Sequence, residues 1–305
     1  MDESLIIHER PTLREPCLVA GFSGWLDGGE ASTGTVNYLI RKLEARRFAE
    51  ISIRDFNIFQ VPGIAAMRPH VKTEDGLVTE VRYPQNEFFY WKNEEENADA
   101  GDLILLLGTE PNLRWQEYTR AVADLAQEFG VKRMYSVGAV LGGVPHTKEP
   151  TVSCAISDVR LKEELERYTV RFSNYEGPST FNSALVAAFG QRGIEAVHMT
   201  GRAVYYAEVS VAIPHDPKTI YALLRRLRRL LRIELDLSDL ERQSRELEDK
   251  LNFMVSQSTR LRDYVQELER NYVEMRYEEP IEGAPEEFVR GVEEFLRQRR
   301  EEDER

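Results

Sequence analysis

Residues 16–31, PCLVAGFSGWLDGGEA, constrain the fold more than any other stretch of this 305-residue chain. The apolar run Cys17 to Phe22 is too short for a helix and too uniformly apolar for a strand with one wet face, so it reads as a strand buried on both faces. After the glycines the apolar period changes to 3.6 through Ala31, Val36, Leu39, Ile40 and Leu43, which predicts a helix. Strand, tight turn, helix is the opening of an α/β domain. In open parallel sheets the turn after such a strand lies at the carboxyl edge, where crevices form, which makes Ser23 to Gly29 a candidate site.

The chemistry of that turn argues against a phosphate ligand. Gly21, Gly24, Gly28 and Gly29 are not spaced as GxGxxG, and no Lys-Ser/Thr pair follows them. Asp27 and Glu30, three apart at the expected helix start, read as an acidic capping box that occupies the free amides and offsets the helix dipole. A nucleoside triphosphate would meet two carboxylates there. Two readings stand: a capped helix after a sharp turn, and a functional crevice lined by Ser23, Gly24, Asp27, Gly28 and Gly29.

The strand-then-helix alternation recurs. Leu5 to Ile7 reads as a short edge strand and Glu50 to Phe56 as a strand. The segment 58–91 reads as a β-rich excursion with a hairpin, divided by Asp75-Gly76 and the Tyr83-Pro84 turn. Asp102 to Leu107 is a second buried strand, ending at Gly108-Thr109-Glu110 before a helix from about Asn112 to Phe129. Val131 to Val137 and Thr151 to Ile156 follow as strands, then short helical stretches near Leu161 to Tyr168 and from Phe181 to Phe189. Ala196 to Thr200 and Val209 to Ile213 complete the strands. Such alternation predicts an α/β fold, a mostly parallel sheet with helices on both faces, over residues 1–216.

From Pro217 the composition changes, which suggests a second unit, 217–305. Lys218 to Ile233 interleaves Arg225, Arg226, Arg228, Arg229 and Arg232 with leucines. Acidic stretches on both sides favour intramolecular packing over a membrane surface for this basic helix. Ser238-Asp239-Leu240-Glu241 reads as a capping box opening one helix to Tyr272, with heptad positions Leu240, Leu247, Leu251, Met254, Leu261, Val265, Leu268 and Tyr272. At ~1.5 Å per residue it would be roughly 50 Å long, so its apolar stripe needs cover. A hairpin with the basic helix covers half, leaving Leu261, Val265 and Leu268 as interaction-surface candidates and a homo-oligomer as the expected state. A last helix is expected over Pro285 to Arg299.

Composition excludes several function classes. A formal net charge of −13 opposes a nucleic-acid partner, which needs basic patches to neutralise phosphate. No run of 18 apolar residues occurs, so no membrane span is expected, and the two cysteines, Cys17 and Cys154, fit a reducing cytoplasmic compartment. The five histidines show no HxxxH spacing and there is no CxxC, so neither metal nor cofactor is expected. Catalytic residues are not assignable. His146, in a loop after Gly142-Gly143, with Glu110, Glu176 and Asp27, could still assemble an acid/base crevice for a small-molecule enzyme.

The order of signatures resembles the PAC2 family, prokaryotic relatives of the proteasome assembly chaperones. The resemblance is carried by GFSGWLDGGEAS (21–32), GVPHT (143–147), YEGPSTFNSAL (175–185), DPKTIYALLRRL (216–227) and DLSDLE (236–241). It implies a phosphorylase/hydrolase-like α/β fold with a C-terminal helical extension, homo-oligomeric assembly, and a protein-interaction or assembly-chaperone-like role, with no catalytic residues to carry over. Relatives that dock on proteasome rings can use a C-terminal hydrophobic-tyrosine-any tripeptide, whereas this chain ends Asp303-Glu304-Arg305. That difference speaks against docking by the same route.

Overall fold

A computed structural model of the chain describes residues 4–58, 69–94, 100–206 and 214–273. The expected strand Val209 to Ile213 and the expected helix Pro285 to Arg299 lie outside these residues. Eleven described strands run β1 (Leu5–Ile7), β2 (Cys17–Ser23), β3 (Arg46–Ile51), β4 (His70–Glu74), β5 (Leu77–Arg82), β6 (Asn86–Trp91), β7 (Leu103–Thr109), β8 (Arg133–Gly142), β9 (Val152–Ile156), β10 (Arg171–Phe172) and β11 (Glu195–Val204). The helices are α1 (Ala31–Lys42), α2 (Trp115–Glu128), α3 (Leu161–Glu166), α4 (Phe181–Gln191), α5 (Pro217–Leu230), α6 (Ser238–Gln257) and α7 (Thr259–Asn271).

Nine strands form one sheet in the order β1-β3-β6-β7-β2-β8-β11-β9-β10, with β2 at its centre. The four central strands β7, β2, β8 and β11 are parallel. Antiparallel pairings flank them through β6 and β3 on one side and β9 on the other. The strand expected at Glu50 to Phe56 lies earlier, at Arg46–Ile51, because Ile53–Asp55 turns as a single 3-10 turn.

Alternation along β2 distributes its side chains to two cores. Cys17 and Val19 face the layer of α1 and α5, while Leu18, Ala20 and Phe22 face α2 and α4. On that second face Phe22, Tyr118, Phe181 and Trp115 meet edge to face, with Phe22 and Phe181 centroids 5.0 Å apart. The composition change at Pro217 does not interrupt the core: Ile220, Leu223, Leu224 and Leu227 of α5 share the first core with α1 and β11. The basic face of α5 is also used within the chain. Arg226 is fully buried and donates to the carbonyls of Tyr168 (2.9 Å), Ala222 (2.8 Å) and Thr169 (3.3 Å), with Glu149 at 3.4 Å. Such multiple bonding is what makes a buried guanidinium tolerable.

The expected single 50 Å helix is two helices. Ser258 is extended (φ −133°, ψ 114°), and its hydroxyl accepts from the Leu261 amide at 3.2 Å as the N-cap of α7. Serine is a strong cap, and at a heptad core position it sacrifices little burial by leaving the helix. The break brings α7 back onto the α/β layer. Leu261 and Val265 are 3% and 4% exposed, and together with Leu251 they pack on Val144, Val204 and Tyr206, with Leu268 partly buried beside them. They are thus covered inside the subunit and do not form an open interaction surface. The capping box at α6 is also replaced: Asp236 caps Ser238 through its amide (2.9 Å) and hydroxyl (3.1 Å), and Glu241 pairs instead with Arg245.

His198 on β11 is buried in the sheet, with Nδ1 2.9 Å from Ser136 Oγ and Nε2 2.9 Å from Thr200 Oγ1. Burial pulls its pKa down to about 4. Between that value and the ordinary ~6.5 the unfolded chain binds the extra proton, so stability falls as pH drops through this window. Urea unfolding at a series of pH values should show the loss, and His198→Gln should flatten it. Leu261→Ala should cost about 2 kcal/mol by the same measurement, because it opens a cavity under α7.

Candidate functional site

The carboxyl ends of β7, β2, β8 and β11 meet at one edge, and the turn after β2 closes over it. Asp27 forms a parallel bridge with Ala139, and the Ala139 amide donates to Leu26 O at 2.7 Å, so the turn runs as a continuation of the sheet beside β8. Gly28 is needed for this approach, since a Cβ there would meet Leu141 N at 2.9 Å. Gly29 has φ +62° and would place a Cβ 2.7 Å from that of Asp216. The turn encloses a crevice of about 510 Å³ lined by Trp25, Asp27, Leu141, Val204, Tyr205 and Pro214 together with Gly24, Gly28 and Gly29.

Three carboxylates hold this edge. Asp27 Oδ1 accepts from the amides of Ser32 (2.9 Å) and Thr33 (3.0 Å), and Oδ2 accepts from Thr33 Oγ1 (2.8 Å), which caps α1. Burial raises its pKa above the ordinary carboxylate value, against the pull of these bonds. Glu30 does not complete a capping box: its backbone is left-handed (φ 50°), its side chain makes no cap bond, and His215 lies 3.6 Å from its carboxylate. Glu110 accepts from Trp25 N (2.9 Å) and Phe181 N (3.3 Å), tying the turn to the start of α4. Ser23 Oγ donates to Thr109 Oγ1 at 3.1 Å, closing the ends of β2 and β7.

The third carboxylate is Asp216, which is not among the candidate residues named from the sequence. It is buried; Oδ1 accepts from Lys218 N (3.0 Å) and Thr219 N (3.1 Å), and Oδ2 from Thr219 Oγ1 (2.9 Å) and Val204 N (3.2 Å). Its own amide donates to Gly29 O at 2.7 Å. One side chain thus joins α5, the end of β11 and the turn. Asp-Pro ahead of a helical period is the signal that marks such a cap.

His146 lies apart from the crevice. Only 1% exposed, it donates its backbone amide to Tyr206 Oη (2.8 Å), and its Nε2 lies 3.1 Å from Asn252 Oδ1 on α6. Tyr206 Oη in turn donates to Val144 O (2.9 Å), and Lys218 bonds both His146 O and Glu248. Burial lowers the His146 pKa, and the Lys218 charge adds to that effect while the Asn252 bond opposes it. This network fastens the 143–147 loop to the C-terminal helices. Glu176 stands in an exposed loop before α4 and is absent from the crevice lining. Asp27, Glu110, His146 and Glu176 are therefore not brought together as an acid/base set.

Among the described residues no cluster of three His, Cys, Asp or Glu side chains is placed to hold a metal ion, and no helix is long and apolar enough to cross a membrane. What remains at the crevice mouth is apolar: Trp25, Leu141 and Tyr205 are 66%, 52% and 41% exposed.

The model of the PAC2 family matches residues 21–255, from the end of β2 into α6. The chain belongs to the PAC2 family. Its structure is similar to that of a PAC2 family protein from Streptomyces avermitilis, with 28% identity over 82% of this chain and 99% of the other and a TM-score of 0.70. A proteasome-assembly chaperone homologue from Mycobacterium tuberculosis is 26% identical over 82% of this chain and 99% of its own, also with a TM-score of 0.70. The fold is shared as well with PbaB, an archaeal proteasome activator from Pyrococcus furiosus (24% identity, TM-score 0.60, 82% and 97% covered). No curated protein matches the sequence.

Asp27→Ala should destabilise the chain by about 1 kcal/mol, as loss of a cap does, while Asp27→Asn keeps an acceptor for the two amides. Because the folded-state pKa of Asp27 is raised, its contribution is greatest below the ordinary carboxylate pKa and declines as pH rises through the raised value. Thermal unfolding should accordingly show Asp27→Asn gaining stability relative to the parent from about pH 3 to pH 7.

Proposed function

We propose that this PAC2 protein is an assembly-chaperone-like protein that works in the cytoplasm as a homo-oligomer and binds protein subunits at the carboxyl edge of its sheet. The observation that carries the reading is the mouth of the crevice, where Trp25, Leu141 and Tyr205 are exposed and line one cleft at the carboxyl edge of the sheet. Large apolar and aromatic side chains grouped on a surface are what protein interfaces use as anchors. The nearby carboxylates support the same reading, since their oxygens are spent on the backbone amides of the turn and helix starts. The relatives described as a proteasome-assembly chaperone homologue and a proteasome activator make proteasome subunits the partner of choice.

Purified chain mixed with purified α- and β-type proteasome subunits of the same host should give a complex in native mass spectrometry. Trp25→Asp with Tyr205→Asp should weaken it about a hundredfold or more, the size of effect that loss of two interface anchors has. Absence of a complex with every subunit, or a complex indifferent to both substitutions, overturns this reading.

A further inference from the structure

Between Pro217 and Ile233 the chain carries six cations, Lys218, Arg225, Arg226, Arg228, Arg229 and Arg232, and no carboxylate. In a chain of net charge −13 this is a concentrated local excess of positive charge. Helix geometry sorts it. Ile220, Leu223, Leu224 and Leu227 of α5 face the first core, and Arg226 is buried among carbonyls. Arg225, Arg228 and Arg229 fall at i, i+3 and i+4, with Arg232 one turn further just past the helix end, so the four share one ridge.

The ridge is held in place by its own fold. Arg225 lies over the Tyr221 ring, 5.5 Å from its centroid, and Arg228 Nη1 donates to Leu235 O at 3.1 Å. Glu149, in the loop between β8 and β9, lies 3.8 Å from Arg225 and 3.4 Å from Arg226, so one carboxylate serves two guanidiniums. The described residues end at the same place. Just after α7, Tyr272 Oη donates to Glu149 O, and Val273 O accepts from Arg171 Nη2 at 3.3 Å. The next 23 residues, 274–296, hold eight glutamates and two arginines, a net charge of −6. The six cations of 217–233 carry the opposite charge in equal number.

We propose that segment 274–296 of the same chain lies along the arginine ridge of α5 and covers it. Charge complementarity selects an acidic occupant, and the position of Val273 selects this one. Reach is not limiting: α5 is ~21 Å long, and 23 residues span ~35 Å even as a helix and ~75 Å when extended. Exposed ion pairs are weak one at a time, but a tether anchored at Glu149 and Arg171 makes the contact intramolecular, with an effective concentration on the order of millimolar. A second copy has no such advantage, because chains of net charge −13 repel each other. A row of uncovered arginines attracts polyanions, so the segment also acts as a built-in competitor for them.

Carbodiimide coupling in the full chain tests the contact, since it joins a carboxylate to an adjacent amine with loss of water. Arg229→Lys and Arg232→Lys, made singly, keep the charge and supply the amine; Arg232 is exposed, so its variant should fold as the parent does. Peptide mapping should find either lysine linked to a glutamate of 274–296, in protein of monomer mass on a denaturing gel. Raising the salt to about 0.5 M should lower the yield several-fold, as screening requires. Glu278→Gln, Glu279→Gln and Glu282→Gln together should lower it as well, with the melting temperature of the sheet domain unchanged. Absence of any link to 274–296 overturns the proposal. Links confined to protein of dimer mass assign the segment of a second copy to the ridge and overturn it too, and a yield indifferent to salt and to the glutamine variant overturns the electrostatic docking.

Discussion

Every other part of this fold depends on the burial of β2 on both faces. A strand with Val19 directed into one core and Leu18, Ala20 and Phe22 into the other must have sheet neighbours on both sides and helices above and below. Its parallel partners β7 and β8 supply the hydrogen bonds, and parallel pairing aligns their carboxyl ends with its own. The crevice at that edge follows from the central strand. Its floor is the centre of the sheet, where β2, β7, β8 and β11 are hydrogen-bonded to neighbours on both sides.

The carboxyl edge is governed by backbone capping. Helices α1 and α5 start at this edge with free amides, and Asp27 and Asp216 occupy them, while Glu110 serves the turn and the start of α4. Each carboxylate accepts from several donors: for the buried Asp216 these are the partners a buried charge needs, whereas for Asp27 they only partly offset the cost of burial. The result is an edge whose polar groups are satisfied internally and whose outer side chains are Trp25, Leu141 and Tyr205. Such a surface suits contact with another protein better than recognition of an anion, because the helix dipoles are already offset.

The C-terminal helices are integral to this arrangement. Helix α5 completes the layer over β11, α6 folds back along it, and the break at Ser258 turns α7 onto Val144, Val204 and Tyr206. The buried His146–Tyr206–Asn252 contacts then fix the 143–147 loop beside the crevice wall. With Leu251, Leu261 and Val265 of the heptad stripe buried inside the subunit, the crevice mouth and the β4–β5 hairpin are among the places where large apolar side chains stay exposed.

The sequence by itself determined what depends on local period and composition. The apolar run at Cys17 to Phe22, the change to a 3.6 period after it, the repeated strand-to-helix units and the Asp75-Gly76 hairpin were all legible, because neighbouring residues decide burial pattern and turn type. The PAC2 signatures were legible too, and the family match confirms them. Only the tertiary structure decided which side chains meet. His146 and Glu110 looked alike as polar residues after glycine, yet one is buried against α6 and the other clamps Trp25, a difference set by elements more than seventy residues away. Ser258 falls between Met254 and Leu261 at the spacing of the heptad stripe, and the α/β layer was needed to make a cap and a turn more favourable there than one long helix.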